Sequence, residues 1–240
     1  MTHDEARNKI IFALDVNGLD EIDRYAGLLS GKVGMFKVGK ELFTSCGPAA
    51  VKTVQKHGGQ VFLDLKYHDI PNTVAKAMLE AARIGVQLTN LHALGGAEMM
   101  ETAANAVRKE FGDDRPRLLA VTILTSSTEK TLQGVGIEQP IQDMVVRLAK
   151  LAQNAGMDGV VASPLEIELI RAACGPDFLI VTPGVRPAFA AADDQKRIMA
   201  PAEAIGAGAD FLVIGRPIAK AADPVVAAQM IADEIVTGCL

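Results

Sequence analysis

The stretch VFLDLKYHDIPNTV, Val61 to Val74, sets two carboxylates and an ammonium, Asp64, Lys66 and Asp69, at the end of an apolar run. Val61, Phe62, Leu63 and Leu65 read as a strand buried on both faces, the habit of a parallel strand covered by helices. Side chains alternate along a strand, so Asp64 and Lys66 point to the same side. Opposite charges side by side on an apolar strand mark a site; the structural alternative is a buried ion pair where the strand ends. Asp69 has its own alternative, as the cap of a helix that Pro71 opens.

Similar apolar runs recur on either side of this one: Ile10 to Asp15, Val33 to Val38, Val61 to Lys66, Val86 to Leu91, Leu118 to Ile123, Gly159 to Ala162, Phe178 to Val181 and Phe211 to Ile214. Between them lie helical patterns over Ala49 to Lys56, Val74 to Arg83, Ala97 to Lys109, Ile141 to Asn154, Pro164 to Ala173, Ala202 to Ala207 and Pro224 to Val236. Strands alternating with helices predict a parallel sheet with crossover helices. Eight such units predict a closed (β/α)8 TIM barrel, with an open doubly wound sheet as the alternative. The 240 residues show no composition break, linker or low-complexity tract, so one barrel catalytic domain over 1–240 is expected.

Composition narrows the function. A chain with 49% hydrophobic and 22% charged residues can build a large core, which excludes wholesale disorder. A net charge of −5 argues against a nucleic-acid surface while leaving room for a small anion held by local cations. Cys46, Cys174 and Cys239 are widely spaced and form no metal-ligand pattern, as expected of reduced thiols in the cytoplasm. The polar N-terminal MTHDEARNK and the lack of any apolar run of about 18 residues predict neither a secretion signal nor a membrane anchor.

In a barrel of this type the functional face lies where strands end. Those positions are polar here: Asp15, Lys37, the Asp64 and Lys66 pair, His92, Thr122 with Thr125, Ser163, Thr182, and Gly215 with Arg216. Asp15, Lys37, Asp64 and Lys66 come from three consecutive strands and can form an alternating array in which opposite neighbours favour the charged forms. Late in the chain, VIGRP (Val213 to Pro217) and TPGVRP (Thr182 to Pro187) combine glycines with Arg216 and Arg186, a pattern suited to phosphate. The alternative makes Gly184 and Gly215 turn residues and Arg216 a surface ion pair. The polar stretch after Thr182, reaching Arg197, is long enough to be a lid, with Arg186 and Gln195 as contacts.

Other signals are discounted. GMFKVGK (Gly34 to Lys40) has Walker A spacing, but Glu41 replaces the required Ser or Thr and the interior reads as a strand. GAGAD (Gly206 to Asp210) precedes a strand and is a turn. His3, His57 and His68 read as surface or helix-end imidazoles. His92 either packs in the core or lines the mouth.

FLDLKYHDIPNTV resembles the Asp-x-Lys-x-x-Asp-Ile-Pro-x-Thr signature of the orotidine 5′-monophosphate decarboxylase family, bacterial branch. The likeness extends to FALD (Phe12 to Asp15), FKVGKELF (Phe36 to Phe43), VTILTS (Val121 to Ser126), VTPGVRP (Val181 to Pro187) and IGRPI (Ile214 to Ile218). The resemblance implies conversion of orotidine 5′-monophosphate to UMP in pyrimidine biosynthesis, without cofactor or metal. It implies that Lys66 protonates C6, with Asp64 beside the departing carboxylate and Lys37 and Asp15 on the ribose hydroxyls. Thr125 and Pro183 would line the substrate site, Thr125 against the pyrimidine. Arg186, Arg216 and the Gly215 amide would take the phosphate, and Gln195 would bridge lid and ligand. It also implies a homodimer in which Asp69, Ile70 and Thr73 reach into the neighbouring subunit's site. Sugar-phosphate enzymes sharing the Asp-x-Lys-x-x-Asp core but using a divalent metal are one competing reading, and a non-catalytic phosphate-binding barrel is another.

Overall fold

The structure is a computed structural model that describes residues 1–190 and 199–238. Among these, eight parallel strands close in chain order: β1 (Ile10–Ala13), β2 (Met35–Gly39), β3 (Val61–Tyr67), β4 (Leu88–His92), β5 (Arg117–Val121), β6 (Gly159–Val161), β7 (Leu179–Pro183) and β8 (Phe211–Ile214), with β8 pairing back to β1. The helices are α1 (His3–Asn8), α2 (Gly18–Leu29), α3 (Lys40–Cys46), α4 (Ala49–Lys56), α5 (Pro71–Arg83), α6 (Ala97–Phe111), α7 (Glu129–Gln133), α8 (Ile141–Asn154), α9 (Ile167–Cys174), α10 (Pro201–Gly206), α11 (Arg216–Ala219) and α12 (Pro224–Gly238). The closed barrel is the expected fold, and the open sheet is excluded. Every strand but β8 departs by one or two residues from its expected bounds, β7 for instance running on to Pro183; α5 starts at Pro71, ahead of the expected Val74, and the stretch from Pro164 opens as a 3₁₀ turn before α9. No helix among the described residues is long and apolar enough to cross a membrane.

Strand alternation sorts the side chains into two cores. Ile11, Ala13, Met35, Phe62, Leu88, Leu119, Val121, Val161, Val181 and Val213 pack inside the barrel. Their neighbours, such as Phe12, Phe36, Leu63, Leu91, Ala120, Ile180 and Leu212, face outward and pack in a separate cluster with helix residues such as Ile22, Met78 and Ile231. Truncating a fully buried plug residue such as Phe62 to Ala would cost about 3–5 kcal/mol. Gly159 holds an inward position where an added Cβ would lie 2.3 Å from the Leu179 carbonyl oxygen, so β6 can approach β7 there only without a side chain.

At the N-terminal end of the barrel one device recurs. The residue just before an even-numbered strand accepts the backbone N–H near the start of the preceding odd one: Gln87 from Val61 at 2.7 Å, Asp158 from Leu118 at 2.7 Å and Asp210 from Ile180 at 2.8 Å. Arg115 grips Asp158 with two bonds of 2.5 and 2.6 Å, and Arg171 holds Asp210 at 2.8 Å. A cavity of about 750 Å³ opens here, lined by Met35, Arg115, Arg117, Asp158, Phe178 and Phe211 among others. It is the largest of the described cavities, yet its most buried charges are already neutralised by one another.

Candidate active site

The inward parity that places Met35, Phe62 and Leu88 in the barrel plug carries Lys37, Asp64 and Asn90 to the level above, two residues further along β2, β3 and β4. An apolar floor therefore lies under a charged layer. Lys66 Nζ donates to Asp64 Oδ1 at 2.5 Å, Lys37 Nζ lies 3.7 Å from Asp64 Oδ2, and Lys37 Nζ donates to Asp15 Oδ1 at 3.3 Å. The alternating array read from three strands is thus assembled. Its core is desolvated, with side-chain exposures of 10% for Asp64 and 13% for Lys37, whereas Asp15 sits at the rim. Burial pushes the Asp64 carboxyl up, but the charges of Lys66 and Lys37 and the bonds from Lys66 and Asn90 outweigh it and hold it below the usual carboxylate range.

Asn90 is a site residue that the sequence reading misses. It is fully buried, donates through Nδ2 to Asp64 Oδ1 at 2.7 Å, and accepts the Lys66 backbone N–H on Oδ1 at 2.8 Å. The available signal is parity: Leu88, Asn90 and His92 share the inward face of β4. Lys66 itself has φ +53°, the single positive φ outside glycine among the described residues. A left-handed backbone at a residue with a Cβ costs about 1–3 kcal/mol and persists where surrounding contacts hold it.

Two adjoining cavities share Lys37, Asp64, Lys66 and Leu124 in their walls. One, of about 200 Å³, has charge on one flank and an apolar wall of Val121, Val161, Pro183 and Val213 on the other, with Thr125 at its edge. The second, of about 310 Å³, runs past Asp15 toward Lys40 and Glu41. Thr122, Ser163 and Thr182, expected at the mouth, are fully buried and line neither cavity. For Thr122 and Thr182 the reason is parity: Val121 and Val181 face inward, so their successors face the helices. His92 is half-buried beside His68, ring centroids 5.7 Å apart; burial first, then His68, Lys40 and Lys66, lower its pKa to about 4.

A third cavity, of about 380 Å³, brings Arg186, Arg216, Phe189, Pro217 and Lys220 together. Arg186 Nε and Nη2 are buried there without a hydrogen-bond partner among the described residues. Gly215 sits where an added Cβ would be 3.2 Å from Ala13 Cβ and 3.4 Å from Asp15 Oδ2, so the end of β8 closes tightly on β1. Gln195 and the distal part of the expected lid, 191–198, lie outside the described residues. Asp69, Ile70 and Thr73 are exposed and line none of these cavities. Ile70, not Asp69, is the cap residue of α5, and the Asp69 carboxylate accepts the Ile70 N–H at 2.7 Å.

A profile of the family described as "Orotidine 5'-phosphate decarboxylase / HUMPS family" matches residues 8–231. The chain is 80% identical over 239 residues to the orotidine 5'-phosphate decarboxylase of Pelobacter propionicus, covering 100% of both chains. It is 77% identical to the protein of that name from Trichlorobacter lovleyi, over 99% of each. The crystal structure of orotidine 5'-phosphate decarboxylase from Lactobacillus acidophilus superposes with a TM-score of 0.83 at 37% identity, covering 94% of this chain and 98% of that one.

Proposed function

The chain belongs to the orotidine 5′-phosphate decarboxylase / HUMPS family, and from that premise we propose that it converts orotidine 5′-monophosphate to UMP and CO2, the last step of pyrimidine biosynthesis, without a cofactor. The observation that carries the reading is the Lys37, Asp64 and Lys66 array, joined at 2.5 and 3.7 Å above an apolar floor and opening into a cavity of about 200 Å³.

When the bond from C6 to its carboxylate breaks, the electron pair stays on C6 in the ring plane, where the π system cannot spread it. CO2 departs and C6 takes a proton, which Lys66 Nζ supplies. A fixed ammonium is worth more to the developing carbanion than to the substrate, which is the differential stabilisation that catalysis needs. Asp64 orients Lys66 and stands beside the departing carboxylate, while Lys37 and Asp15 hold the ribose hydroxyls. The apolar wall suits the face of a pyrimidine, with Thr125 and Pro183 as its contacts. Arg186, whose buried nitrogens want an acceptor, and Arg216 take the phosphate with the Gly215 amide, and Gln195 completes the grip. Phosphate binding far from C6 contributes energy that orders the array.

The working unit of this reading is a homodimer of one-domain chains, residues 1–240, binding neither nucleic acid nor membrane. Asp69, Ile70 and Thr73 act in the partner's site, a role supported by their exposure, 68% for Ile70, and by their absence from the walls of their own chain's described cavities. The free thiols of Cys46 and Cys174 support a cytoplasmic setting.

The test is to incubate the protein with orotidine 5′-monophosphate and excess chelator and follow loss of the substrate's ultraviolet absorbance. Full turnover is expected, because lysines supply the required charge. Activity that vanished with chelator and returned with Mg²⁺ would move the chain to the metal-dependent sugar-phosphate enzymes, and no turnover under any condition would refute the decarboxylase reading.

A further inference from the structure

We propose that Asn90 is a positioning residue for this reaction, setting the Lys66 backbone and the Asp64 carboxylate with a single amide. The inference rests on the decarboxylase reading above. β3 and β4 pair at Phe62 with Leu88 and at Leu63 with Thr89, then slip so that Tyr67 faces Leu91. The slip absorbs two extra residues of β3, and Asp64 and Lys66 lie within it. At that irregularity Lys66 takes up φ +53° and gives its N–H to Asn90 Oδ1 at 2.8 Å.

The amide can sit only one way round. A backbone N–H can only donate, so it must face the amide oxygen, and this turns the NH₂ toward Asp64 Oδ1 at 2.7 Å. Asp64 Oδ1 therefore receives Lys66 Nζ and Asn90 Nδ2 together, and this rotation leaves Oδ2 toward Lys37. Full burial excludes water as a substitute for the amide. The charged or titratable groups around Asp64 are Lys66 on its own strand, Lys37 on β2 with Asp15 behind it, and His92 on β4. None of them holds the Lys66 backbone as well. Asn90 thus couples the acid's backbone to the orientation of its counter-charge from a neighbouring strand.

The experiment compares wild type with Asn90→Asp, which keeps an acceptor for the Lys66 N–H but loses the donor and sets a like charge against Asp64. Expected is a kcat about 100-fold lower with KM for orotidine 5′-monophosphate changed by no more than a few fold. The acid limb of the kcat/KM profile should shift to higher pH, because Asp64 becomes easier to protonate. Should Asn90→Asp not accumulate as folded protein, Asn90→Ser, smaller and uncharged, gives the same kcat-against-KM comparison. Sites are counted by UMP titration. Wild-type kcat per site in the variant that folds, with an unmoved pH profile, overturns the role, as does a loss confined to the number of sites. An inactive wild type instead removes the decarboxylase reading itself.

Discussion

Each end of the barrel holds an aspartate drawn out of solvent among cations, Asp64 buried and Asp158 partly so, and the two ends differ in which cation does the holding. At the N-terminal end Asp158 meets the planar fork of Arg115 at 2.5 and 2.6 Å and the Leu118 N–H at 2.7 Å. At the C-terminal mouth Asp64 meets Lys66 at 2.5 Å, Lys37 at 3.7 Å and Asn90 at 2.7 Å. Both carboxyls are pushed up by burial and brought below the ordinary range by their partners. A guanidinium matches a carboxylate bidentately and keeps its proton; an ammonium is a compact charge on a flexible stem that can hand a proton on. One anion thus makes a rivet between loops at one end and, at the other, a site suited to the proton transfer proposed above. The backbone differs likewise: the N–H bonded by Asp158 belongs to a regular strand, whereas the N–H held by Asn90 belongs to a residue in left-handed conformation.

The largest effect should come from the mouth. Lys66→Ala removes the proposed proton donor and the charge proposed to face the carbanion together, so kcat should fall by at least about 10⁴-fold. Calorimetry should still detect UMP binding, because the proposed phosphate grip is elsewhere. A comparable loss of kcat from a change at the opposite end would end the contrast between the two aspartates.

Arg115→Ala is that change, and its effect should be on stability alone. Removing one partner of this partly buried pair costs about 1–3 kcal/mol, read as a lower denaturant midpoint, while kcat per folded site stays within about twofold of wild type. The pH dependence identifies the partner. Asp158 has a folded pKa below its unfolded value, so its contribution is complete above the ordinary aspartate pKa of about 3.9 and disappears as pH falls through the lowered folded value. The stability gap between wild type and Arg115→Ala should therefore be constant from about pH 7 to pH 5 and narrow below about pH 4. A gap that stayed constant at the lowest pH where both proteins fold would mean that Arg115 acts through its stem or its carbonyl contact instead.

The same contrast governs what the sequence could reveal. All eight strands are legible because each is a short apolar run, and the charges at their ends stand out against it. Helix α2 is not among the helical patterns named from the sequence, although Ile22, Tyr25, Ala26 and Leu29 form its buried stripe behind the acidic first turn of Asp20 and Glu21. Helices α1, α3, α7 and α11 escape as well: they are short, and α3 and α11 start directly after a strand or its last glycine with no separate sequence signal. At the site, Lys37, Asp64 and Lys66 are legible as charges out of place. Asn90 is not, since a neutral amide in a strand looks ordinary until parity puts it beside Asp64. The left-handed backbone of Lys66 leaves no sequence trace either, because a lysine does not announce a positive φ as a glycine does.

The smallest effect in amplitude tests the motif residue that lines none of the described cavities of its own barrel. Asp69 is exposed and does not cap α5, so its proposed place is the partner's mouth. Lys66→Ala and Asp69→Ala homodimers should each be nearly inactive. In a mixed dimer one site collects both defects, while the other combines Lys66 of one chain with Asp69 of the other and is intact. When the two variants are mixed under conditions that let subunits exchange, activity should rise to about half that of a wild-type dimer per heterodimer, since a symmetric interface pairs either variant equally well. Mass spectrometry of differently tagged chains measures the exchange, and turnover measures the recovery. Exchange without recovery would mean that Asp69 serves its own subunit, and the mouth described within one chain would then be the whole of the site.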